Sequence, residues 1–217
     1  LAEHISGNIN DFAELMNKKA LEIGCTNTHF TNPSGIHNAD HYSTAHDMAL
    51  IAKYCMQNST FREIVSKTSC TINATDKYEQ RYFVNTNDLL RPSSKYYYEY
   101  AIGIKTGYTT QAKNCLIASS LKDGIELISV VLGAKSTETG KSARYVDTIN
   151  LFDYGYSNYK IEKILEKNAV IKNIEISNAT KDTKNLSIIA KNDITSLISN
   201  DIDIKNLESN ITLNDNI

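Results

Sequence analysis

The chain has 217 residues, with 23 Lys and Arg against 25 Asp and Glu, and 41% of its residues are apolar. The net charge of −2 argues against a nucleic-acid-binding protein, which would carry a basic surface. No run approaches the length of about 18 apolar residues that a membrane span requires. Because residues 1–4 lack both an initiator methionine and the basic start of a signal peptide, we expect a piece or a processed product of a longer globular protein.

Two helices are predicted in the first 60 residues. Asp11 is predicted to cap the first helix, and Gly24 to end it. Thr44 is predicted to begin the second helix, because Asp47 follows it at the spacing of a capping box. Apolar residues recur at helical spacing in both segments: Phe12, Leu15, Met16 and Ala20 in the first, and Met48, Ile51, Ala52 and Cys55 in the second.

The middle of the chain alternates between strand and turn signals. Residues 99–105, 114–121 and 125–133 read as strands, and Lys122-Asp123-Gly124 is typical of a tight hairpin between the last two. A closing helix is predicted over roughly 142–154. Helices followed by strands and one more helix favour the α+β class, with helices packed on an antiparallel sheet.

Composition changes sharply after Tyr159. Residues 161–217 contain no Gly, Pro, Cys, His or aromatic residue, and they hold short apolar runs separated by Asn, Asp and Lys. This pattern predicts short strands in a small all-β domain that is incomplete. We therefore predict two domains, 1–160 and 161–217.

Four cysteines are widely spaced, without a Cys-x-x-Cys pair: Cys25, Cys55, Cys70 and Cys115. The spacing argues against a zinc knuckle and against a disulfide framework. We interpret them as small buried apolar residues.

The triplet Lys105-Thr106-Gly107 is the candidate binding motif, placed at the end of the first predicted strand. Lysine supplies a positive charge, threonine a directed hydrogen bond, and glycine the clearance for a ligand to approach the main chain. These groups suit a carboxylate. The triplet alone is also common as an ordinary solvent-exposed strand end.

The order of motifs around the triplet makes the chain resemble the D-alanyl-D-alanine carboxypeptidases, the low-molecular-weight penicillin-binding serine peptidases of bacterial cell walls. The resemblance covers about residues 1–160. It rests on Asn-Pro-Ser-Gly-Ile at 32–36, His-Tyr-Ser-Thr-Ala-His-Asp-Met-Ala at 41–49, Asn-Thr-Asn-Asp-Leu-Leu at 85–90, Gly-Ile-Lys-Thr-Gly-Tyr-Thr at 103–109, Asn-Cys-Leu-Ile-Ala-Ser at 114–119, residues 124–133, and Leu-Phe-Asp-Tyr-Gly-Tyr at 151–156.

The resemblance implies a fold and a division of the chain. Residues 1–160 would be the C-terminal portion of a β-lactamase/transpeptidase-like catalytic domain, incomplete here. Residues 161–217 resemble the first part of the family's C-terminal β-sandwich domain, though weakly.

The resemblance also implies a reaction. A serine of the family's Ser-x-x-Lys motif attacks the D-Ala-D-Ala carbonyl, an acyl-enzyme forms, D-alanine leaves, and water hydrolyses the ester. Lys105 and Thr106 would bind the terminal carboxylate beside Gly107, and the backbone N–H of Tyr108 would be one oxyanion donor. No cofactor and no metal is implied.

The family's Ser-x-x-Lys and Ser-x-Asn motifs would lie before Leu1, so the nucleophile is expected outside this chain and the chain alone is predicted to be inactive. Three strings imitate those motifs. Ser119-Ser120-Leu121-Lys122 leads into a hairpin instead of a helix, Ser157-Asn158-Tyr159-Lys160 follows the Lys-Thr-Gly triplet, and Ser6-Gly7-Asn8 falls after the true position. We reject all three.

The histidines offer one alternative site. His37, His41 and His46, with Asp40 and Asp47, could be proposed as metal ligands, but their spacing matches no recognised ligand set. We expect His41 to fix its loop by hydrogen bonding, and Ser43 or Thr44 to cap a helix.

The sequence leaves two other functions open: a non-catalytic cell-wall peptide-binding protein that kept the triplet, and a β-lactamase. If the chain is a carboxypeptidase, as the resemblance implies, its partner is a peptidoglycan stem peptide ending in D-Ala-D-Ala. β-Lactams would then inhibit the complete protein. The resemblance places the protein outside the cytoplasmic membrane, secreted or membrane-associated through segments not present here.

Overall fold

The computed structural model describes residues 1–135, 142–175 and 185–208, together with positions 210 and 212. Its residues form two compact units, Leu1–Tyr154 and Gly155–Ile217. The predicted domain boundary lies six residues later, at 160/161. The assignment of 161–217 to a β-sandwich stays a prediction, and part of that range lies outside the described residues.

The first unit begins with helices and continues with strands. Its helices are α1 (Ala2–Ser6), α2 (Ile9–Ile23), α3 (Ala45–Met56), α4 (Ser59–Ser66) and α5 (Ala143–Asn158), the last of which ends in the second unit. Its strands are β1 (Ser69–Ile72), β2 (Arg81–Val84), β3 (Ala101–Thr109), β4 (Lys113–Lys122) and β5 (Ile125–Ala134). A short 3-10 turn, Asp88–Leu90, lies between the β1–β2 hairpin and β3.

The three long strands form one antiparallel sheet in the order β3-β4-β5. The turn between β4 and β5 has two residues, Asp123 at φ 50° and Gly124 at φ 81°. Two successive positive φ angles give the turn type whose twist matches that of the flanking strands, so the Asp-Gly signal in the sequence predicts this hairpin correctly.

Side-chain caps determine where α2 and α3 begin. Asn8 caps α2 by accepting a hydrogen bond from the backbone N–H of Asp11, 2.9 Å away, so the prediction that Asp11 is the cap is wrong. An Asn at this position satisfies an otherwise unpaired N–H, and the helix begins earlier than its apolar pattern suggests. Thr44 caps α3 as predicted, accepting from Asp47 N–H at 3.1 Å, and Gly24 ends α2 at φ 99°.

Helices α3 and α4 cover one face of the sheet. Ala52 and Met56 of α3 form a buried cluster with Ile104 of β3. Partly buried side chains complete it: Phe61, Val65, Ile102, Ile117 and Ile128. Burial of these apolar surfaces holds the helices on the sheet, and the predicted α+β architecture is confirmed.

The second unit, as far as it is described, consists of paired strands. Strand β6 (Tyr159–Leu165) pairs with β9 (Ile194–Ser199), and β7 (Val170–Glu175) pairs with β8 (Asn185–Ile189), both antiparallel. A 3-10 turn, Ile204–Asn206, follows. The short strands agree with the period-two alternation in this segment.

The sequence analysis did not predict α4 or the β1–β2 hairpin. Asn58, which caps α4 by accepting from Phe61 N–H at 3.0 Å, is the signal that was available. All eight residues of the two hairpin strands are exposed, so no contrast between a buried and a solvent face marks them.

The cysteines are free thiols, but the prediction that they are buried is wrong for Cys70, which is exposed on β1. Cys25 is buried, and Cys55 and Cys115 are half-buried. None of the helices that the structure describes combines the length and the apolarity needed to cross a membrane.

Candidate functional site

The Lys105-Thr106-Gly107 triplet lies in the middle of β3. The predicted strand 99–105 is too short, because β3 continues to Thr109 and pairs with β4 as far as Lys113. Strand β3 is at the edge of its sheet, and no strand in the described part of the chain pairs with its outer side. The triplet therefore stands inside a paired strand and not at a strand end.

The triplet presents one cation and one hydroxyl. Lys105 is exposed, and its Nζ donates to the carbonyl of Thr106 at 2.6 Å. The hydroxyl of Thr106 lies 2.7 Å from that of Thr86, a residue between β2 and the 3-10 turn. Two hydroxyls and an ammonium group at one edge strand are suitable donors for a carboxylate.

Gly107 has no structural need to be glycine. Within the described part of the chain, a Cβ at this position would meet only the Cβ of Cys115, at 3.8 Å, an ordinary contact. Gly107 is also not among the residues with positive φ. The missing side chain thus leaves space that the described residues do not fill, as a ligand lying against the main chain would require.

The segment that carries Thr86 is held at both sides. The side-chain amide of Asn85 donates to the carbonyls of Val65 at 3.2 Å and Lys67 at 2.9 Å, at the end of α4. Asn87 is fully buried and donates to the carbonyl of Gly103 at 3.1 Å. These two amides fix Thr86 beside β3.

Helix α5 supplies a second contact to the triplet. Nη1 of Arg144, in the first turn of α5, donates to the carbonyl of Gly107 at 3.4 Å. The neighbouring Tyr145 is buried and bonds to the main chain of Thr86. The site therefore combines β3, the 85–88 segment and the start of α5.

A cavity of about 470 Å³ opens beside the triplet. Its other side is formed by the loop that precedes α3 and by the start of that helix, with further apolar side chains from the sheet. The residues that line it opposite the triplet are Phe30, His41, Tyr42, Ser43 and Met48. We refer to these five residues as the facing wall.

A buried carboxylate fixes the loop behind the facing wall. Asp47 is fully buried and accepts hydrogen bonds from the Thr28 hydroxyl and from the Asn27 N–H, both at 2.8 Å. The Thr28 hydroxyl, and then the Asn27 N–H and His46, lower the pKa of the Asp47 carboxyl below its ordinary value. Asp47 is thereby held as a carboxylate that ties this loop to α3.

His41 is a hydrogen-bonding residue of the loop, as predicted. Its Nδ1 accepts from the backbone N–H of Thr31 at 3.1 Å. Burial is the main cause that lowers the pKa of His41, and the nearby His29 and His37 add to it. Among the residues that the structure describes, no group of three or more His, Cys, Asp or Glu side chains could hold a metal ion.

Comparison with known proteins identifies the family. The family described as D-alanyl-D-alanine carboxypeptidase matches residues 1–136. The chain belongs to this family. It is 31% identical to the D-alanyl-D-alanine carboxypeptidase DacF of Bacillus subtilis over 218 residues, covering 100% of the chain and 53% of the relative.

Two further proteins support the membership in the carboxypeptidase family. DacA of Haemophilus influenzae, also a D-alanyl-D-alanine carboxypeptidase, is 34% identical over 90% of the chain and 47% of the relative. The crystal structure of penicillin binding protein 5 from Haemophilus influenzae superposes with a TM-score of 0.68 at 32% identity, covering 92% of this chain and 54% of that one. The chain spans about half the length of these relatives.

The string Ser119-x-x-Lys122, which imitates the carboxypeptidase nucleophile motif, is in a strand. Ser119 is buried in β4, and its hydroxyl donates to Oε1 of Glu126 at 3.0 Å. Because side chains alternate along a strand, positions three apart point to opposite faces. Ser119 and Lys122 therefore cannot act on the same atom, and the rejection of this pair is confirmed.

The serines of the two other imitations lie near the ends of helices. Ser157 is in α5, whereas Lys160 is in β6. Ser6 ends α1, and its hydroxyl donates to the carbonyls of Ala2 at 3.0 Å and Asn8 at 2.9 Å.

The structure places the four predicted site residues together on β3, but their roles stay predictions. Tyr108 follows the triplet, pairs with Asn114 and has a side chain 66% exposed. Sequence reasoning missed Arg144 and Tyr145. No local pattern marks them, because they reach the site from 37 or more residues away along the chain.

Proposed function

We propose that the protein is a serine-type D-Ala-D-Ala carboxypeptidase that removes the terminal D-alanine of peptidoglycan stem peptides, and that this chain carries its carboxylate-binding strand. The observation that carries the proposal is the placement of Lys105, Thr106 and Gly107 in the middle of an edge strand beside a cavity of about 470 Å³. Membership in the carboxypeptidase family supports the choice of substrate.

Each residue of the strand has a separate task in this proposal. The Lys105 ammonium attracts the terminal carboxylate, and the Thr106 hydroxyl, paired with Thr86, donates to it. Gly107 lets the peptide approach the strand. The N–H of Tyr108 stabilises the oxyanion that forms when a serine hydroxyl adds to the carbonyl carbon.

The reaction has two steps. The serine oxygen replaces the amide nitrogen of D-alanine, which leaves with a proton, and water then hydrolyses the ester and restores the hydroxyl. None of the serines weighed above is assigned as this nucleophile.

Partners and location follow from the same proposal. Penicillin binding belongs to the name of the Haemophilus influenzae neighbour. We extend it to this protein, whose complete gene product would be acylated by β-lactams. The substrate lies outside the cytoplasmic membrane, so cell fractionation should recover the protein in the envelope or the medium.

Replacement of Lys105 tests the carboxylate site. In an NMR titration of the chain with N-acetyl-D-Ala-D-Ala, Lys105→Ala should weaken binding roughly tenfold to a hundredfold, because a hydrogen bond to a charged group is lost. Lys18→Ala, at an exposed position of α2, is the matched control and should bind like the wild type.

Two results would contradict the proposal. Equal affinity of Lys105→Ala and the wild type would remove the lysine from the site, and equal weakening by Lys18→Ala would indicate a general charge effect. For the complete gene product, the absence of both a covalent penicillin adduct and D-alanine release would disprove the enzymatic part.

A further inference from the structure

A buried phenol lies at the junction of the site's three segments. Tyr145 is 1% exposed, and its hydroxyl has three partners. It donates to the carbonyl of Thr86 at 3.1 Å, and it accepts from the backbone N–H of Asp88 at 3.3 Å and from Nη2 of Arg144 at 3.2 Å. One donated and two accepted hydrogen bonds use the full hydrogen-bonding capacity of a phenol.

The ring of Tyr145 is fixed independently of its hydroxyl. It stacks on the ring of Tyr96, with 4.8 Å between the centroids. The Tyr96 hydroxyl in turn accepts from the backbone N–H of Ser142 at 2.6 Å, just before α5. Ring packing therefore places the phenol, and the hydroxyl can be removed without removing this packing.

Both groups that Tyr145 holds are in contact with the triplet strand. Thr86 places its hydroxyl 2.7 Å from that of Thr106. Arg144, whose guanidinium carbon also lies 4.8 Å from the centre of the Tyr145 ring, donates to the carbonyl of Gly107 at 3.4 Å. A single hydroxyl thus connects the two external contacts of the Thr106-Gly107 pair.

We propose that Tyr145 is a positioning residue of the carboxylate site. It touches no substrate, and it acts by fixing the Thr86 main chain and the Arg144 guanidinium, so that the Thr106 hydroxyl and the Gly107 carbonyl keep their places. The proposal rests on the proposed function, since it names a support of the same site.

The physical consequence of losing the hydroxyl is local. Without it, the Thr86 carbonyl and the Asp88 N–H lose a partner at a position that the Tyr145 ring shields from water, which is unfavourable for the present arrangement of the segment. The two side-chain amides of Asn85 and Asn87 remain, so the segment loosens instead of unfolding. We expect Thr86 to move away from Thr106.

The test compares Tyr145→Phe with Tyr98→Phe. The control removes a phenol that also bonds to α5, donating to Asp153 at 2.9 Å. In the ligand-free chain, Tyr145→Phe should speed amide hydrogen exchange at Asp88 at least tenfold and shift the amide signals of Thr106 and Gly107. Tyr98→Phe should change none of these signals.

The second measurement is the affinity for N-acetyl-D-Ala-D-Ala. Tyr145→Phe should weaken it at least fivefold in a protein that is still folded by circular dichroism, and Tyr98→Phe should leave it unchanged. Because part of the effect of Tyr145 passes through Thr86, the same substitution in a Thr86→Val background should weaken binding by a smaller factor than in the wild type. In the complete gene product the loss should fall mainly on KM.

The outcomes separate this proposal from the proposed function. Unchanged amide signals of Thr106 and Gly107, or unchanged affinity despite faster exchange at Asp88, would overturn the positioning role. Full additivity with Thr86→Val would overturn it too. If the wild type binds no D-Ala-D-Ala peptide, the proposed function is wrong, and the ligand-free amide signals still decide whether Tyr145 fixes the strand.

Discussion

The two halves of strand β3 make different kinds of contact, apolar in the first half and polar in the second. Residues 101–104 pack inward, with Ile104 in the cluster formed by Ala52 and Met56 of α3. Residues 105–109 are exposed or half-exposed, and their contacts are polar, to the 85–88 segment and to Arg144. One strand is thus fixed by the core at one end and offers hydrogen-bonding groups at the other.

The two glycines of β3 show the difference most directly. A Cβ on Gly103 would lie 2.9 Å from Cγ2 of Val65, and its φ of 154° is one that other residues rarely adopt. A Cβ on Gly107 would meet nothing closer than 3.8 Å. The first glycine is required by the protein's own packing, whereas the second leaves space that the protein itself does not fill.

The largest effect on stability is expected from Gly103→Ala. The added methyl group meets the Val65 side chain of α4, so the free energy of unfolding should fall by about 1–3 kcal/mol. Urea denaturation followed by circular dichroism measures this change.

A double-mutant cycle identifies the cause. Val65→Ala removes the Cγ2 atom and leaves the Val65 Cβ, 3.5 Å from the added methyl group. In that background Gly103→Ala should therefore cost less than in the wild type, by a coupling energy of roughly 1 kcal/mol. Strict additivity would show that the contact with Val65 is not the reason for the glycine.

The opposite behaviour is expected from Gly107→Ala. Its unfolding free energy should stay the same or rise by about 0.5 kcal/mol, because alanine restricts the unfolded chain and meets no close neighbour. Affinity for N-acetyl-D-Ala-D-Ala, measured by NMR titration, should fall about tenfold, since a methyl group stands where the ligand approaches. A variant that loses stability but keeps its affinity would reverse the comparison between the two glycines.

The smallest effect concerns the loop behind the facing wall, and it is present at neutral pH and lost in acid. The pKa of Asp47 is lowered in the folded chain, first by the Thr28 hydroxyl. Its contribution to stability is therefore complete above the unfolded pKa of about 3.9 and is lost as the pH falls through the lower folded value. Asp47→Asn should be less stable than the wild type at pH 7.

The pH series for Asp47→Asn uses urea denaturation at several values from neutral to acid. The difference between the two proteins should narrow as the pH falls, because the wild-type carboxyl becomes protonated while the amide does not titrate. A difference that stays constant down to acid pH would show that the charge of Asp47 plays no part.

Local patterns in the sequence account for the elements on either side of the site. Thr44 with Asp47 predicts the start of α3, and Asp123-Gly124 predicts the turn between β4 and β5, since both signals act within four residues. The start of α2 was wrong because Asp11 and Asn8 are both capping residue types, and only the structure shows which side chain accepts the bond. The fold class and the Lys105-Thr106-Gly107 triplet could be predicted from the sequence.

The supports of the triplet from α5 were not within reach. Arg144 donates to a carbonyl 37 residues away along the chain, and the Tyr145 hydroxyl bonds to a carbonyl 59 residues away. Such contacts depend on how α5 and the 85–88 segment come together on the sheet, and no periodicity in either segment encodes that. The extent of β3 was missed for a related reason, because its outer half has no buried face to produce alternation.

The outer side of β3, which no strand in the described ranges pairs with, also bears on how copies of this chain behave in solution. Unpaired main-chain groups along an edge are a template on which another polypeptide can add itself as a strand, which is the usual beginning of aggregation. The charge of Lys105 stands in the middle of that edge, so a second copy aligned there would bring two lysines together. The residue predicted to receive a carboxylate thereby also discourages self-association.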